Sequence, residues 1–329
     1  ISMKDSKFKS PIPNVSGLTS LMSLTLSNNS FTGKLPNSLA QLRKLTALDI
    51  KDNSFSGPLP LWLQKMSLLN DLHVDNNMFS GDLKALGKLT NLESFSASGN
   101  EITGSIPNTL GKLMLITLDL SKNYLSGTIP KLLRRFYNPN ISHNMLTGTM
   151  PSSLYLSETV DVSKNMLTGA FGKLYSNNPD EEKYAISRLY LSDNLLTGTI
   201  AQSMIYLTNL IDINLSKNQL TGPLPEFQTF WRLNVLVLSQ NSFTGTISKS
   251  LGDMKLLQRL DLSYNQLTGS IPSSIAKLTA LRTAYFDNNV LIGSISDKFC
   301  ARTQDDGYPK IAVDFEEVTC QCCTSWHEE

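Results

Sequence analysis

Cysteine is missing from the first 299 residues of this 329-residue chain. That excludes a disulfide framework spread through the fold, and any cysteine nucleophile or thiolate metal site in its body. Histidine is nearly as scarce: His73, His143 and His327 are the only three, and none stands in a metal-binding or nucleophile motif. No run of about 18 apolar residues occurs, so no membrane-spanning helix is expected. Neither charge sign prevails. The 29 Lys and Arg against 28 Asp and Glu leave +1, which gives no reason to expect nucleic acid or an anionic membrane as main partner. A signal-peptide pattern is lacking too, as in a mature or trimmed chain starting at Ile1.

What is present is repetition. The stretch LDLSYNQLTGSIP, Leu260 to Pro272, comes back as LTLSNNSFTGKLP at Leu24, LDIKDNSFSGPLP at Leu48, LDLSKNYLSGTIP at Leu118 and INLSKNQLTGPLP at Ile213. Its asparagine falls at positions 29, 53, 77, 100, 123, 144, 165, 194, 218, 241, 265 and 289, and a glycine follows each one by four residues. Most spacings are 23 or 24 residues, with two of 21 and one of 29. Self-similarity at this period means a solenoid, and L-x-x-L-x-L-x-x-N-x-L is the leucine-rich-repeat signature. In L-x-L the leucines share one face of a short strand and the residue between faces outward. Stacked turns then form a parallel sheet over a continuous core. Asn265 stands where the chain leaves the strand, and its amide can satisfy several backbone groups that would otherwise be buried unpaired. Gly269 fits a backbone position a side chain would obstruct. Residues 1–298 are thus expected to form an α/β solenoid of about 13 repeats. A length of 329 residues need not mean two globular domains in such a fold.

Cys300, Cys320, Cys322 and Cys323 all lie beyond the last repeat. Residues 299–329 therefore read as a cap stapled by disulfides, which implies an oxidising compartment. Cys300 is expected to bond either Cys320 or Cys322, and zinc is the rival for the cluster. Sequons at Asn14, Asn28, Asn140 and Asn214 fit a secreted glycoprotein.

The full consensus, ending in Gly-x-Ile-Pro at Gly104–Pro107, Gly127–Pro130 and Gly269–Pro272, resembles the plant-specific class of extracellular leucine-rich repeats. That class includes receptor-like kinases, receptor-like proteins and polygalacturonase inhibitors. The resemblance covers roughly residues 1–298. It implies a twisted solenoid with a second short strand near the Gly-x-Ile-Pro, and ligand binding on the concave or lateral face. The cysteine cluster is similar to the ends of secreted leucine-rich-repeat proteins of algae such as diatoms. Members of the class usually carry a cysteine-bearing N-terminal cap, which this sequence does not show.

Two features break the period. Pro139 replaces a strand leucine within the 21-residue repeats, and the longest repeat carries YSNNPDEEKY, residues 175–184. Inserted loops of this kind often serve binding. The outward strand column places Asp49 beside His73, and Asp119, Asn140 and Asp161 at successive steps of ~4.8 Å. These suggest an acid–base pair and a shared cation, but an open solvated face gives no enclosure to shift a pKa. No enzyme, cofactor or metal is expected.

Binding fits better. Arg188, Tyr190, Arg259, Tyr264, Arg282 and Tyr285 are expected on the concave side, and Tyr and Arg dominate interface energetics. The sequence thus reads as an extracellular recognition or adhesion module for a protein, peptide or cell-wall glycan. The alternative is a structural subunit of an extracellular matrix or filament. Ile1 and Met3 align with Leu24 and Leu26, so the sequence opens inside a repeat. An uncapped solenoid end exposes core positions and a strand edge. That end is therefore expected to be covered by further N-terminal sequence or by head-to-tail association, which the net-positive first ten and net-negative last thirty residues would assist.

Overall fold

The computed structural model describes residues 1–113, 115–131, 137–171, 184–227, 229–306 and 310–323. The chain divides into two compact units, Ile1–Met166 and Leu167–Glu329. Each is a leucine-rich-repeat solenoid built from two parallel sheets.

In the first unit, the L-x-L motifs form the strands Ser23–Thr25, Ala47–Asp49, Asp71–His73, Ser94–Ser96, Thr117–Asp119, Asn138–Asn140 and Thr159–Asp161. We call this the first sheet. Neighbours pair parallel and in register, repeat position on repeat position, as in Leu24 with Leu48 and Leu48 with Leu72. Every central residue is buried, Pro139 included. A second sheet runs through the Thr/Ser-Gly positions, from Thr32–Gly33 to Met145–Gly148. In several coils a proline then caps a short 3-10 turn; Pro60 at φ −74° precedes Leu61–Lys65, a backbone angle its ring imposes anyway. Phe8, Phe31, Phe55 and Phe79 stack one coil on the next at centroid spacings of 5.6, 5.9 and 6.2 Å.

The second unit repeats the plan. Its first sheet holds Arg188–Tyr190, Asp212–Asn214, Val235–Val237, Arg259–Asp261, Thr283–Tyr285 and Lys310–Ala312. The last strand comes from the cap, so the cysteine-bearing segment continues the sheet as well as closing it. The cap helix Asp297–Asp306 precedes it, and Val318–Thr319 pairs with Gly293–Ser294. Cys300 bonds Cys322, one of the two partners expected, and Cys320 bonds Cys323.

The asparagine ladder is as expected from the chemistry of the amide. Asn77 Nδ2 donates to the carbonyls of Ile50, Val74 and Asp75 at 3.0, 3.1 and 3.0 Å. Its Oδ1 accepts the Phe55 N–H at 2.9 Å. One side chain thus closes its own turn and finishes the previous coil. The residue just before each ladder asparagine is left-handed: in the first unit Asn28, Asp52, Asn76, Gly99, Lys122, His143 and Lys164 all have φ between 50° and 64°. Non-glycine residues seldom adopt this region, yet here it recurs because the turn needs it. The strand Lys310–Ala312 that follows brings no ladder asparagine, and Asp314 just beyond it supplies the acceptors: its carboxylate accepts the N–H groups of Asn288 and Asn289 at 2.8 and 3.0 Å.

Candidate functional site

The outward side of the first sheet is polar in the first unit and mixed in the second, where Val235 and Val237 interrupt it. In the first, strand pairing sets Asp49, His73, Ser96, Asp119, Asn140 and Asp161 in one column. An open cavity of about 420 Å³ lies over it, lined by Lys51, His73, Asp75, Ser96, Asp119, Asn138 and Asn140 among others. That volume falls in the range of small-ligand sites. Asp75 is turned inward, accepting the Ser96 hydroxyl and the Ser98 N–H.

Asp119 and Asp161 each accept, on one oxygen, the hydroxyl of the serine two residues on, at 2.7 Å from Ser121 Oγ and 2.6 Å from Ser163 Oγ. Along the column, Asn140 Nδ2 approaches Asp119 Oδ2 at 3.4 Å. The repeated serines are therefore turn partners of the outward Asp or Asn, a role their consensus position alone did not reveal. Asp49 likewise turns back to the Lys51 N–H at 3.3 Å, and no hydrogen bond joins it to His73 among the described residues. Also among these, the one group of three side chains placed to share a metal is Cys300, Cys320 and Cys322, and disulfides occupy all three sulfurs.

In the second unit, Arg188 Nε donates to Asp212 Oδ2 at 3.1 Å, and the Tyr190 hydroxyl reaches the same oxygen at 3.4 Å. Asp212 was not singled out from the sequence. The signal was there: it sits at the strand position of Arg188, one coil on. Arg259 approaches Asp261 at 3.8 Å, and Asp261 stands in register with Tyr285. Arg282 lies just before the strand Thr283–Tyr285 and is exposed. Tyr264 follows the strand Arg259–Asp261 in the left-handed turn position, at φ 52°, and is exposed. Of the sequons, Asn14 and Asn28 are exposed, whereas Asn140 and Asn214 are half-buried with Oδ1 bonded to Ser142 and Ser216. The insert at 175–184, apart from Tyr184, lies outside the described residues.

This arrangement of paired sheets and asparagine ladders is that of a leucine-rich-repeat protein. Family-level comparison agrees, matching leucine rich repeat over residues 232–291 and over 20–42, 44–66, 91–113 and 114–136. The repeats resemble those of plant receptor ectodomains. A solved TDR receptor superposes with TM-score 0.81 at 28% identity, covering 97% of this chain and 56% of that one. The Arabidopsis receptor kinase HAESA, solved with the peptide hormone IDA and the co-receptor SERK1, gives 0.71 at 26% identity, covering 97% and 62%. A plant ice-binding protein gives 0.60 at 25% identity, covering 82% and 81%. The chain thus spans little more than half the length of the receptor structures it matches.

Proposed function

We propose that this protein is a non-enzymatic, extracellular recognition module that binds a peptide across the outward side of its first sheet. The observation that carries the reading is the open cavity over the Asp119 column, where Lys51, His73, Asp119 and Asn140 line a recess together with Phe95 and Leu118. Similar ectodomains supply the ligand class, HAESA having been solved with a peptide hormone. Sequons and a fully disulfide-bonded cap fit an oxidising exterior. The second unit, taken by itself, offers a separate candidate surface, where Arg188 and Tyr190 bracket Asp212 with residue types favoured at interfaces.

The test is a screen of the glycosylated chain against secreted peptides, other secreted proteins and wall polysaccharides, with Asp119→Ala and Tyr190→Ala beside it. Saturable peptide binding weakened at least tenfold by either change is the expected result. Binding that neither change touches, or concentration-dependent fibres in place of discrete particles, would overturn it.

A second reading rests on a different surface. In the second unit, Thr197, Thr221, Thr244 and Thr268 each stand exposed one residue before the glycine of their coil, and Thr199, Thr246, Ser270 and Ser294 stand exposed one residue after it. The first hydroxyl column runs unbroken through four coils at the inter-strand repeat of ~4.8 Å, the second is interrupted by Pro223 between Thr199 and Thr246, and a plant ice-binding protein is among the similar structures. Ice recrystallisation assays discriminate: inhibition abolished by Thr221→Lys and Thr244→Lys supports this reading, and none at micromolar protein removes it.

A further inference from the structure

The four cap sulfurs form one neighbourhood. Cys300 comes from the cap helix and is 7% exposed, while Cys320, Cys322 and Cys323 are half-buried in a single short run. That run is held in place from upstream. Val318–Thr319 pairs with Gly293–Ser294, and the Ile295 N–H donates to the Thr319 carbonyl at 3.0 Å. The fully buried Phe299 fixes the helix next to Cys300. As a result Cys320 Sγ lies 3.7 Å from Cys322 Sγ, a sulfur to which it is not bonded. The Sγ atoms of Cys300, Cys320 and Cys322 all lie within 4.8 Å of one another.

We propose that the cap is a thiol–disulfide exchange centre, entered by a dithiol reductant at Cys320–Cys323 and relayed by Cys320 onto Cys322. Exchange proceeds by thiolate attack on a disulfide sulfur, with a thiolate leaving. A thiolate of the dithiol attacks Cys323 Sγ; the bond to Cys320 breaks and Cys320 leaves as thiolate. The second thiol of the reductant then closes on the first as a cyclic disulfide, freeing Cys323. Two electrons have passed from the dithiol to the Cys320–Cys323 bond. In the second step Cys320 attacks Cys322 Sγ, forming Cys320–Cys322 and expelling Cys300 as a thiolate that takes up a proton. This step is redox-neutral. Its effect is to release the buried helix cysteine from the segment that follows the last strand, although the reductant never reaches Cys300. The separation between sulfurs makes the relay local, requiring side-chain rotation at Cys320 and no opening of the solenoid.

Two experiments on the full chain test it. In Cys323→Ser, Cys320 is left without its partner under oxidising conditions. Acid quenching, alkylation and peptide mass mapping should find a Cys320–Cys322 disulfide and the free thiol shared between Cys300 and Cys320. A thiol confined to Cys320, with Cys300–Cys322 intact, overturns the relay. Should that variant fail to be secreted, the natural chain treated with one equivalent of dithiothreitol gives an independent answer. The expected pattern is full alkylation of Cys323, with a second alkyl group divided between Cys320 and Cys300. Reduction of Cys300–Cys322 first, or a second alkyl group on Cys320 alone, excludes the proposal.

Discussion

Phe243 donates its backbone N–H to the side-chain oxygen of Asn265, 3.0 Å away and one coil further along the chain. Asn265 also donates to the carbonyls of Leu238, Leu262 and Ser263, each at 3.1 Å. A single buried amide therefore serves four backbone groups on two coils, and each group would be costly to leave unpaired. Several testable consequences rest on this relationship and on the sites around it.

Asn77→Ala should destabilise the chain by about 1–3 kcal/mol, the cost of one unsatisfied buried polar group: the Phe55 N–H loses its acceptor, while the carbonyls of Ile50, Val74 and Asp75 each keep a second donor. Asn29→Ala should cost less, because Met3, Ser6 and Phe8, the coil it ties down, are exposed. Urea unfolding of the two variants measures the difference; equal losses would contradict a burial-dependent ladder.

Gly222 and Gly245 share a left-handed backbone, at φ 78° and 77°, but differ in surroundings. A Cβ on Gly222 would stand 2.6 Å from the Thr199 methyl group, whereas one on Gly245 meets nothing nearer than the Pro223 Cβ at 3.8 Å. Both alanine variants should lose about 1–3 kcal/mol from backbone strain, with Gly222→Ala the worse. Restoring space with Thr199→Ser in the Gly222→Ala background should recover the excess. Thermal melts of the three proteins decide it.

Arg188 is 44% exposed in its pair with Asp212, so Arg188→Ala should change stability by no more than about 1 kcal/mol. Its effect should appear instead in peptide binding. A variant as stable as the natural chain and undiminished in affinity would remove Arg188 from the interface.

Hydrogen bonds from the hydroxyls of Ser250, first, and Ser248 hold the Glu226 carboxyl below its ordinary range. A depressed carboxylate adds stability that is present above its unfolded pKa and fades as pH falls through the folded one. Carbon-detected titration of Glu226 should therefore show a midpoint below that of an exposed glutamate, moving up in Ser248→Ala with Ser250→Ala. An unmoved midpoint would show that these contacts do not set it.

The repeat was legible because its letters are dictated by backbone needs: leucine where the strand faces the core, asparagine where carbonyls lack partners, glycine where φ is positive. Pro139 is instructive, since it replaces a leucine and is still buried at a strand centre. What the sequence concealed is conformation without a fixed residue. The left-handed position ahead of each asparagine is held by Asn, Asp, Gly, Lys, His, Gln or Tyr, so no letter marks it. The carboxylates of the outward column illustrate a related point. Asp119 and Asp161 are outward, as their column requires, but the serine two residues later claims an oxygen of each. Local side-chain bonds of this sort compete with longer-range uses of a carboxylate, and they are visible only once the turn is built.

The ladder also has a sense of time. Each asparagine completes the coil made before it, so during synthesis a newly emerged turn waits, with amides open, until the following turn leaves the ribosome. Folding can then advance with the chain, one period behind the point of growth. Asp314 ends the wait: it supplies in one side chain the acceptors that another coil would have brought, and works as a full stop written into the sequence.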